Sequence, residues 1–465
     1  MRMMFVALLA AMMTLPAPAA TPDASQQALH VLNRIAYGPA PGDVARVAQM
    51  GAARYIESQL DAAALPYPAA LNERLAALAT PNLATGAALA RFVELRRDAR
   101  NEEPGAKQRR ADGYREMVRE TDQARLLRAI YSPRQLEEVM VDFWYNHFNV
   151  YANKGSGRAT VASYERDAIR PHVFGLFRAL LGATAKHPAM LFYLDNQLSK
   201  AGALNENYAR ELMELHTLGV DGGYTQKDVT ELARMLTGWT YEPRALILRG
   251  ESFRFDARRH DQDPKTWLGN TVTQRGQAEG EYALDVLARH PSTARHVSYQ
   301  LAQYLVQDAP PPALVERMAR TWHDTDGDLR AVLRTLLTSD EFMAPAAIGA
   351  KFKTPYQYVV SAARAGGAAL DDVGPLLGAL NQLGMPLYGC ATPDGYKNTE
   401  AAWLNPGALT RRIAFASSAG ARLDAVQLDD VIGAAISART RALVAANPAP
   451  LRAAMLLGSP DFMQR

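Results

Sequence analysis

Two glutamates in one short segment, Glu211 and Glu214, have the residue type and spacing best suited to chemistry in this sequence. Residues three and four apart are neighbours on a helix, so Asn207, Arg210 and both glutamates are expected to share one face. A pair of carboxyl groups in a cleft can divide the roles of general acid and general base. The same spacing also fits an ion pair between Arg210 and Glu214 on a purely structural helix, and both interpretations stay open at this point.

Histidines outside that segment offer a second constellation. His147, His260 and Asp261 suit general acid–base work if the fold brings them beside Glu211 or Glu214. The same residue types bind Zn²⁺, Mn²⁺ or Fe²⁺, so a divalent metal cofactor is an alternative. No metal-ligand spacing such as His-x-x-x-His accompanies these residues, and we therefore assign no metal ligand.

Cationic and aromatic side chains in the same parts of the chain are predicted to contact a substrate. Lys265 and Arg210 are placed to clamp an anionic group, and Asn207 lies near Arg210 in sequence. Together with the carboxyl pair, they suit hydrolysis of a sugar polymer or of a sulfated or phosphorylated polymer. Trp144 and Trp239 are predicted to line the groove, although large aromatic rings also suit core packing.

Several function classes are disfavoured by what the sequence lacks. It has no G-x-S-x-G elbow, no phosphate-binding Gly-rich loop and no dinucleotide fingerprint. The 51 Lys and Arg residues nearly balance the 48 Asp and Glu residues, which disfavours a nucleic acid partner. Cys390 is the one cysteine, so the chain forms no internal disulfide.

Helical periodicity dominates the chain and must position these residues. Apolar residues recur at three- and four-residue spacing in segments such as 206–218 and 226–237. We therefore predict a mainly α, multi-helix globular protein. Strand-like alternation is rare, and we predict one small β-hairpin near residues 244–256, pairing residues 246–248 with residues 252–255.

The ends of the two central helices are also marked in the sequence. Asn205 can cap the first helix, and Gly219 is a stop signal after it. Thr225 followed by Asp228 has the pattern of a capping box at the start of the second helix. These signals predict a helical hairpin that carries both glutamates on its first member.

The first residues have the three parts of a secretion signal. Met1-Arg2 is positively charged, Phe5–Leu15 is apolar, and small residues follow in an A-x-A arrangement that ends at Ala19. The apolar run is shorter than the roughly 20 residues that a membrane-spanning helix needs. We predict that residues 1–20 are a signal peptide, cleaved after Ala19 or Ala20, and that the mature protein is periplasmic or secreted.

The length of the remaining chain, residues 21–465, exceeds what one hydrophobic core usually serves. We treat it as a single family domain that divides into an N-terminal helical lobe, residues 21–240, and a C-terminal lobe, residues 281–465. The irregular segment 241–280 is predicted to join them. No other apolar run approaches spanning length, so we expect no integral membrane segment in the mature protein.

Distinctive segments are spread over most of the chain. They begin at His30, Phe143, His187, Asn205, Tyr224, Leu236, His260, Lys265, Lys353, Pro393 and Trp403, and they read HVLNRIAYGP, FWYNHF, HPAMLFYLDN, NENYARELMELHTLG, YTQKDV, LTGW, HD, KTWLG, KTP, PDGY and WLNPG. On these segments the chain resembles, nearly end to end, the bacterial family catalogued as domain of unknown function 1800.

The resemblance implies an exported bacterial protein with a mostly helical fold. Genes of that family often lie beside those of another uncharacterised exported family, numbered 1501, which looks related to sulfatases and phosphatases. A co-exported protein of the 1501 family is therefore an expected partner. The resemblance implies no activity and no catalytic residue.

Two functions are consistent with these observations. The first is an accessory or interaction protein that works with a co-exported partner or an extracellular polymer. The alternative is a secreted hydrolase that uses a His and carboxylate site, with or without a metal, on such a polymer. A convergent acid cluster in a cleft favours the hydrolase, whereas an exposed apolar patch favours the accessory protein.

Overall fold

The structure is a computed structural model that describes residues 23–98, 105–367, 370 and 372–465. The predicted signal peptide, residues 1–20, lies outside the described residues. The prediction of a mainly α protein is confirmed, since helices occupy most of the described chain.

The first helices lie before the central hairpin. Their bounds are α1 (Ala24–Ile35), α2 (Asp43–Met50), α3 (Ala52–Leu60), α4 (Ala69–Ala76), α5 (Thr85–Asp98), α6 (Ala106–Tyr131), α7 (Gln135–His147), α8 (Gly157–Ser163), α9 (Phe177–Lys186) and α10 (Pro188–Tyr193). A π-helical turn, Tyr164–Ile169, directly continues α8.

The central hairpin and the helices after it complete the described chain. Their bounds are α11 (Asn207–Glu214), α12 (Gln226–Met235), α13 (Pro243–Arg249), α14 (Gln277–Arg289), α15 (Pro291–Leu305), α16 (Pro312–Asp324), α17 (Leu329–Leu337), α18 (Asp340–Met343), α19 (Pro355–Gly366), α20 (Gly374–Gln382), α21 (Glu400–Trp403), α22 (Pro406–Gly420), α23 (Ala425–Ile432), α24 (Ala438–Ala445), α25 (Ala449–Leu457) and α26 (Pro460–Met463).

The capping signals of the central hairpin act only in part as the sequence predicts. The N-cap of α11 is Glu206, whose side chain makes no capping hydrogen bond, and the preceding Asn205 accepts the backbone N–H of Asn207 at 3.0 Å. Thr225 and Asp228 form a reciprocal capping box at the start of α12. Helix α11 ends earlier than the periodicity suggests, at Glu214, so His216 lies beyond its last turn.

Two small antiparallel strand pairs are present in the described part of the chain. Strand β1 (Trp239–Thr240) pairs with β2 (Arg254–Phe255), and β3 (Thr266–Trp267) pairs with β4 (Asn270–Thr271). The predicted strand at residues 246–248 is wrong, because those residues belong to α13. Glu242 caps that helix by accepting two backbone N–H groups, and Gly250 ends it with a φ of 73°.

One core serves the whole described chain. Its buried apolar residues form a single cluster that runs from Ala28 to Met463, and both predicted lobes contribute to it. The last described residue, Arg465, lies beside Lys351, and the backbones of the two residues exchange hydrogen bonds of 3.2 and 2.7 Å. Across the residues with assigned structure, we find no helix with the length and apolar character needed to cross a membrane.

Close packing around Trp239 generates a stability prediction. Gly280 lies within α14, and a Cβ atom there would be 2.3 Å from the buried Trp239 ring, so Gly280→Ala should lower the free energy of unfolding by about 1–3 kcal/mol. The matched control is Gly378→Ala within α20, where a Cβ atom meets nothing within 4 Å. That change should raise stability by roughly 0.5–1 kcal/mol through helix propensity. Urea unfolding of both variants provides the measurement, and an unchanged Gly280→Ala protein would contradict the packing described.

Candidate functional site

A polar cleft of about 190 Å³ lies where α7, α15 and the loop of residues 392–399 meet. Its walls come from residues 142–147, 215, 300–304, 354, 385 and 394–399, which are well separated in sequence. The lining residues are Asp142, Phe143, Asn146, His147, Leu215, Gln300, Gln303, Tyr304, Thr354, Met385, Asp394, Tyr396, Lys397, Asn398 and Thr399.

Helix α7 supplies one wall through residues at helical spacing. Asp142 and Asn146 are four residues apart, as are Phe143 and His147, so all four reach the same side. Asp142 lies at the buried end of this wall. Its carboxylate accepts hydrogen bonds from Arg125 at 2.6 Å and from the Tyr304 hydroxyl at 3.0 Å.

Beneath Asp142, buried charges form a continuous ionic network. Arg125 also lies 3.4 Å from Glu165, whose other oxygen is 3.0 Å from Arg170. Arg170 in turn donates to both carboxylate oxygens of Glu138, at 2.8 and 3.0 Å. Buried charges are costly unless paired in this way, so the network holds α6, α7 and the π-helical turn in a fixed relation below the cleft.

Two hydrogen bonds with the Asn146 side chain hold the Tyr396 backbone against α7. The amide oxygen of Asn146 accepts the N–H of Tyr396 at 2.7 Å, and its NH₂ group donates to the carbonyl of the same residue at 2.9 Å. Gly395 makes this approach feasible, since it has a φ of 66° and a Cβ atom there would lie 2.3 Å from the Asn146 carbonyl oxygen. The loop is thus part of the cleft wall rather than a separate flap.

His147 is a buried wall residue with both ring nitrogens engaged. Its Nε2 lies 3.1 Å from the carbonyl oxygen of His216, so Nε2 carries the proton and donates. Its Nδ1 lies 2.8 Å from the Gln300 amide. Burial, followed by the nearby His296, lowers the pKa of His147 to about 4, so the ring is neutral at pH 7.

The orientation of Gln300 follows from that proton assignment. On its far side, the Gln300 amide is 3.0 Å from His296 Nε2, which lies 3.3 Å from the carbonyl of Leu215 and donates to it. His296 Nε2 therefore presents a proton, and the Gln300 oxygen faces it. The NH₂ group of Gln300 then donates to His147 Nδ1, so the amide and the two ring nitrogens that it meets have complementary roles.

Glu211 and Glu214, the two predicted acidic residues, do not line the cleft themselves; they occupy the last turn of α11, directly before the lining residue Leu215. Asp394 lines the cleft from the loop of residues 392–399, and its charge acts on Glu211. Burial and the negative charges of Glu214 and Asp394 raise the pKa of Glu211, against the effect of Arg210. The environment of Glu211 therefore favours the protonated form of its carboxyl group.

Asp394 has the opposite electrostatic environment. Burial is the largest single effect and raises the pKa of Asp394, but hydrogen bonds from Lys397, at 2.7 Å, and from Thr392, with the positive charge of Lys397, together outweigh burial and lower that pKa. Environments that shift two neighbouring carboxyl groups in opposite directions are those that separate a general acid from a general base.

Arg210 and Asn207 lie outside this arrangement. Arg210 is 3.2 Å from Glu206 and also donates to Gln226 at 2.9 Å, so the ion pair that the spacing suggested with Glu214 is made with Glu206 instead. Asn207 is exposed and donates weakly to the Leu194 carbonyl at 3.4 Å. Neither side chain is among those that line the cleft.

A separate cluster contains His260, Asp261 and Lys265, and none of these three side chains contacts His147. Lys265 Nζ is buried 2.8 Å from Glu279, which is also 3.4 Å from His260 Nε2. Asp261 accepts two hydrogen bonds from Arg234, at 2.9 and 3.1 Å. The fold therefore does not bring the two predicted histidines together, and this second cluster fastens the segment around residues 256–272 to α12 and α14.

Trp144 and Trp239 are enclosed by the core. Both side chains are fully buried, Trp144 among Phe143, Phe148 and other rings, and Trp239 beside Phe253. Neither presents a ring face to a ligand. Among the described residues, no three His, Cys, Asp or Glu side chains are grouped so that they could hold a metal ion.

The family model described as "Protein of unknown function (DUF1800)" matches residues 30–464. Searches of curated proteins and of solved structures gave no match.

The buried histidine predicts how stability depends on pH. The folded-state pKa of about 4 for His147 is below the unfolded value of 6.5, so the unfolded chain binds the proton first as pH falls. Stability contributed by the neutral ring is complete above pH 6.5 and is lost towards pH 4, with a slope of up to about 1.4 kcal/mol per pH unit. His147→Gln should therefore reduce the loss of unfolding free energy between pH 7 and pH 5. The control is His323→Gln, at an exposed position of α16, and equal slopes in both variants would contradict the assignment.

Proposed function

The chain belongs to the DUF1800 family, and from that premise we propose that it is an exported hydrolase that cleaves an extracellular polymer by general acid–base catalysis at the cleft. One observation supports this proposal above the others: Asp394, which lines the polar cleft, acts electrostatically on Glu211, which lies at the end of α11 near the lining residue Leu215. Export rests on the secretion signal in residues 1–20, and we propose a periplasmic or secreted location.

Glu211 is the proposed general acid. Its raised pKa keeps a larger fraction of the carboxyl group protonated near neutral pH, which is what a proton donor to a leaving oxygen requires. Asp394 is the proposed general base, because its lowered pKa keeps it ionised. Glu214 holds a negative charge beside Glu211 and so helps to keep the proton there.

The proposed reaction is a hydrolytic displacement with balanced proton transfers. Water attacks the electrophilic centre and gives one proton to Asp394, while the bond to the leaving oxygen breaks and that oxygen takes the Glu211 proton. Lys397 and Asn398 line the same cleft and offer a cationic and an amide group for substrate hydroxyl, sulfate or phosphate groups. Neutral His147 is a wall and hydrogen-bonding residue in this scheme rather than the base.

Paired substitutions test the assignment. Glu211→Gln and Asp394→Asn should each lower kcat by about 10²–10⁴-fold, the usual contribution of a general acid or base. In a panel of neutral, sulfated and phosphorylated polysaccharides, chain cleavage, sulfate release and phosphate release are measured separately. Activity of the parent should fall at high pH as Glu211 loses its proton. The pH–activity profile of Glu211→Gln should not show this fall.

The control for this test is Glu251→Gln, an exposed glutamate that pairs only locally with Arg249. It should retain parental activity and pH dependence. Retained activity in both Glu211→Gln and Asp394→Asn would overturn the assignment, as would a parent inactive on every polymer class.

An accessory role is the second candidate, and a separate surface favours it. An apolar groove of about 400 Å³ runs between α19, α20 and α22, with Leu376, Ala379, Phe415 and Leu423 among its lining residues. Apolar grooves of this kind are common protein-binding sites. The partner proposed for it is a co-exported protein of the 1501 family. Co-purification with such a protein, lost in Leu376→Glu and retained in Glu211→Gln, would support this role over the catalytic one.

A further inference from the structure

One tryptophan of the chain keeps part of its ring at the surface. The other four are fully buried, namely Trp144, Trp239, Trp267 and Trp322. Trp403 is half-buried at the end of α21, and none of residues 400–407 is buried. Because burial of an indole ring is strongly favourable, a fold that leaves this one partly in water presents an apolar face there.

The Trp403 ring lies beside the polar cleft. Its Nε1–H group donates to the backbone carbonyl of Lys397, a cleft-lining residue, at 2.7 Å. Its centroid is 6.3 Å from the ring centroid of Tyr396, which also lines the cleft. Trp403 itself does not line the cleft, so these two rings, the aromatic pair, extend from the cleft wall onto the adjacent surface.

Polar contacts with the body of the protein hold the segment that carries the aromatic pair. Lys351 Nζ donates to the Asn398 carbonyl at 2.8 Å, and the Asp308 carboxylate accepts the backbone N–H of Glu400 at 2.8 Å. Lys351 and Asp308 also form an ion pair with each other. The rings are therefore held in place before any ligand arrives, and a preorganised surface loses little conformational entropy on binding.

The polar cleft is too small to enclose a polymer segment by itself. Its volume of about 190 Å³ lies below the roughly 300–1,000 Å³ of typical ligand pockets. A cleft of this size takes a single small unit, and the rest of a polymer has to continue outside it. The aromatic pair lies on the surface next to that exit.

The charges of the cleft are already paired within the protein. Among the described residues that line it, Lys397 is the one lysine or arginine, and its Nζ is 2.7 Å from Asp394. The other lining carboxylate, Asp142, is 2.6 Å from Arg125. A sulfate, phosphate or uronate group would have to compete with Asp394 for a single cation, so the cleft is unsuited to anionic polymers.

Neutral hydrogen-bonding groups are available in the cleft instead. Gln303 donates through its NH₂ group to the Asp308 carbonyl at 3.1 Å, which leaves its amide oxygen as an acceptor. The Thr399 hydroxyl makes no capping hydrogen bond to α21 and can both donate and accept. Both side chains are half-buried and line the cleft. Such groups suit sugar hydroxyl groups, while an aromatic face suits the C–H face of a sugar ring.

We propose that the cleft and the aromatic pair together bind an uncharged polysaccharide, with one sugar residue in the cleft and an adjacent residue stacked on Trp403. This inference names the substrate class of the proposed hydrolase and rests on that proposal for the catalytic role of the cleft. Sulfated, phosphorylated and uronic acid polymers are then poor ligands.

Calorimetric titration with defined hexasaccharides tests the substrate class, in the Glu211→Gln protein so that no ligand is cleaved. Cellohexaose, maltohexaose and chitohexaose are neutral, and hexagalacturonate is anionic. At least one neutral hexasaccharide should bind at millimolar concentration or below, and hexagalacturonate at least about tenfold more weakly. The neutral ligand should also change the intrinsic fluorescence, because Trp403 is the partly exposed tryptophan.

Two substitutions in the same background locate the stacked sugar. Trp403→Ala should weaken binding of the neutral hexasaccharide by at least about tenfold. Trp403→Phe keeps an aromatic face, so it should bind within about threefold of the unsubstituted protein while losing the fluorescence change. The matched control is Tyr114→Ala, which removes a half-buried ring stacked on Phe92 at 4.9 Å and should leave binding unchanged.

Three results would overturn the proposal: no binding of any neutral hexasaccharide, equal affinity for hexagalacturonate, or normal binding by Trp403→Ala. The proposed function is judged separately, by cleavage. A protein that binds a neutral hexasaccharide through Trp403 but cleaves no polymer would overturn the hydrolase and leave the binding site in place.

Discussion

The buried guanidinium of Arg125 is the interaction on which the cleft depends. It joins Asp142 on α7 to Glu165 on the π-helical turn, and three tyrosine rings, Tyr145, Tyr356 and Tyr388, surround it at 5.1–5.4 Å. Loss of one member of such a buried pair typically costs about 3–5 kcal/mol, because the other charge is left without a partner. The position of the cleft floor is therefore tied to the stability of the fold.

The π-helical turn explains how Glu165 and Arg170 can share this network. Its backbone closes a hydrogen bond from the Arg170 N–H to the Glu165 carbonyl, so residues five apart lie one above the other. On a regular α-helix, residues three and four apart are the neighbours. The wider turn thus places the Glu165 carboxylate 3.0 Å from the Arg170 guanidinium. Arg170 also forms an ion pair with Glu138 on α7.

Local signals predicted the elements better than they predicted the site. The capping box of Thr225 and Asp228 marked the start of α12 correctly because its partners are three residues apart. Gly219 did not mark the end of α11, which is at Glu214. Residues 246–248 were misassigned since a short apolar run fits a strand or a helix, yet Glu242, Pro243 and Gly250 carried the start and stop signals of α13. The cleft itself depends on long-range contacts: 162 residues separate Asp142 from Tyr304.

Some of the cleft residues that the sequence analysis missed had a recognisable signal in the sequence. Asn146 and Asp394 lie inside two of the segments that carry the family resemblance, and the glycine at 395 marks a close backbone approach. Gln300 and Tyr304 had no comparable signal, because α15 shows ordinary amphipathic spacing. Trp144 and Trp239 were assigned to a groove because ring type alone does not separate a core residue from a binding residue.

Tyr304 connects the ionic network below the cleft to the last described residue. Its hydroxyl donates to Asp142 in that network, while its carbonyl accepts from the buried Arg465. Apolar side chains of similar volume would stabilise such positions at least as well as ion pairs do. Stability alone therefore does not explain why the fold buries Asp142, Glu138 and Glu165 together with two arginines beneath the cleft. The network instead fixes the positions of Asp142 and Tyr304 in the cleft wall, and a rigid wall is what the proposed site would require.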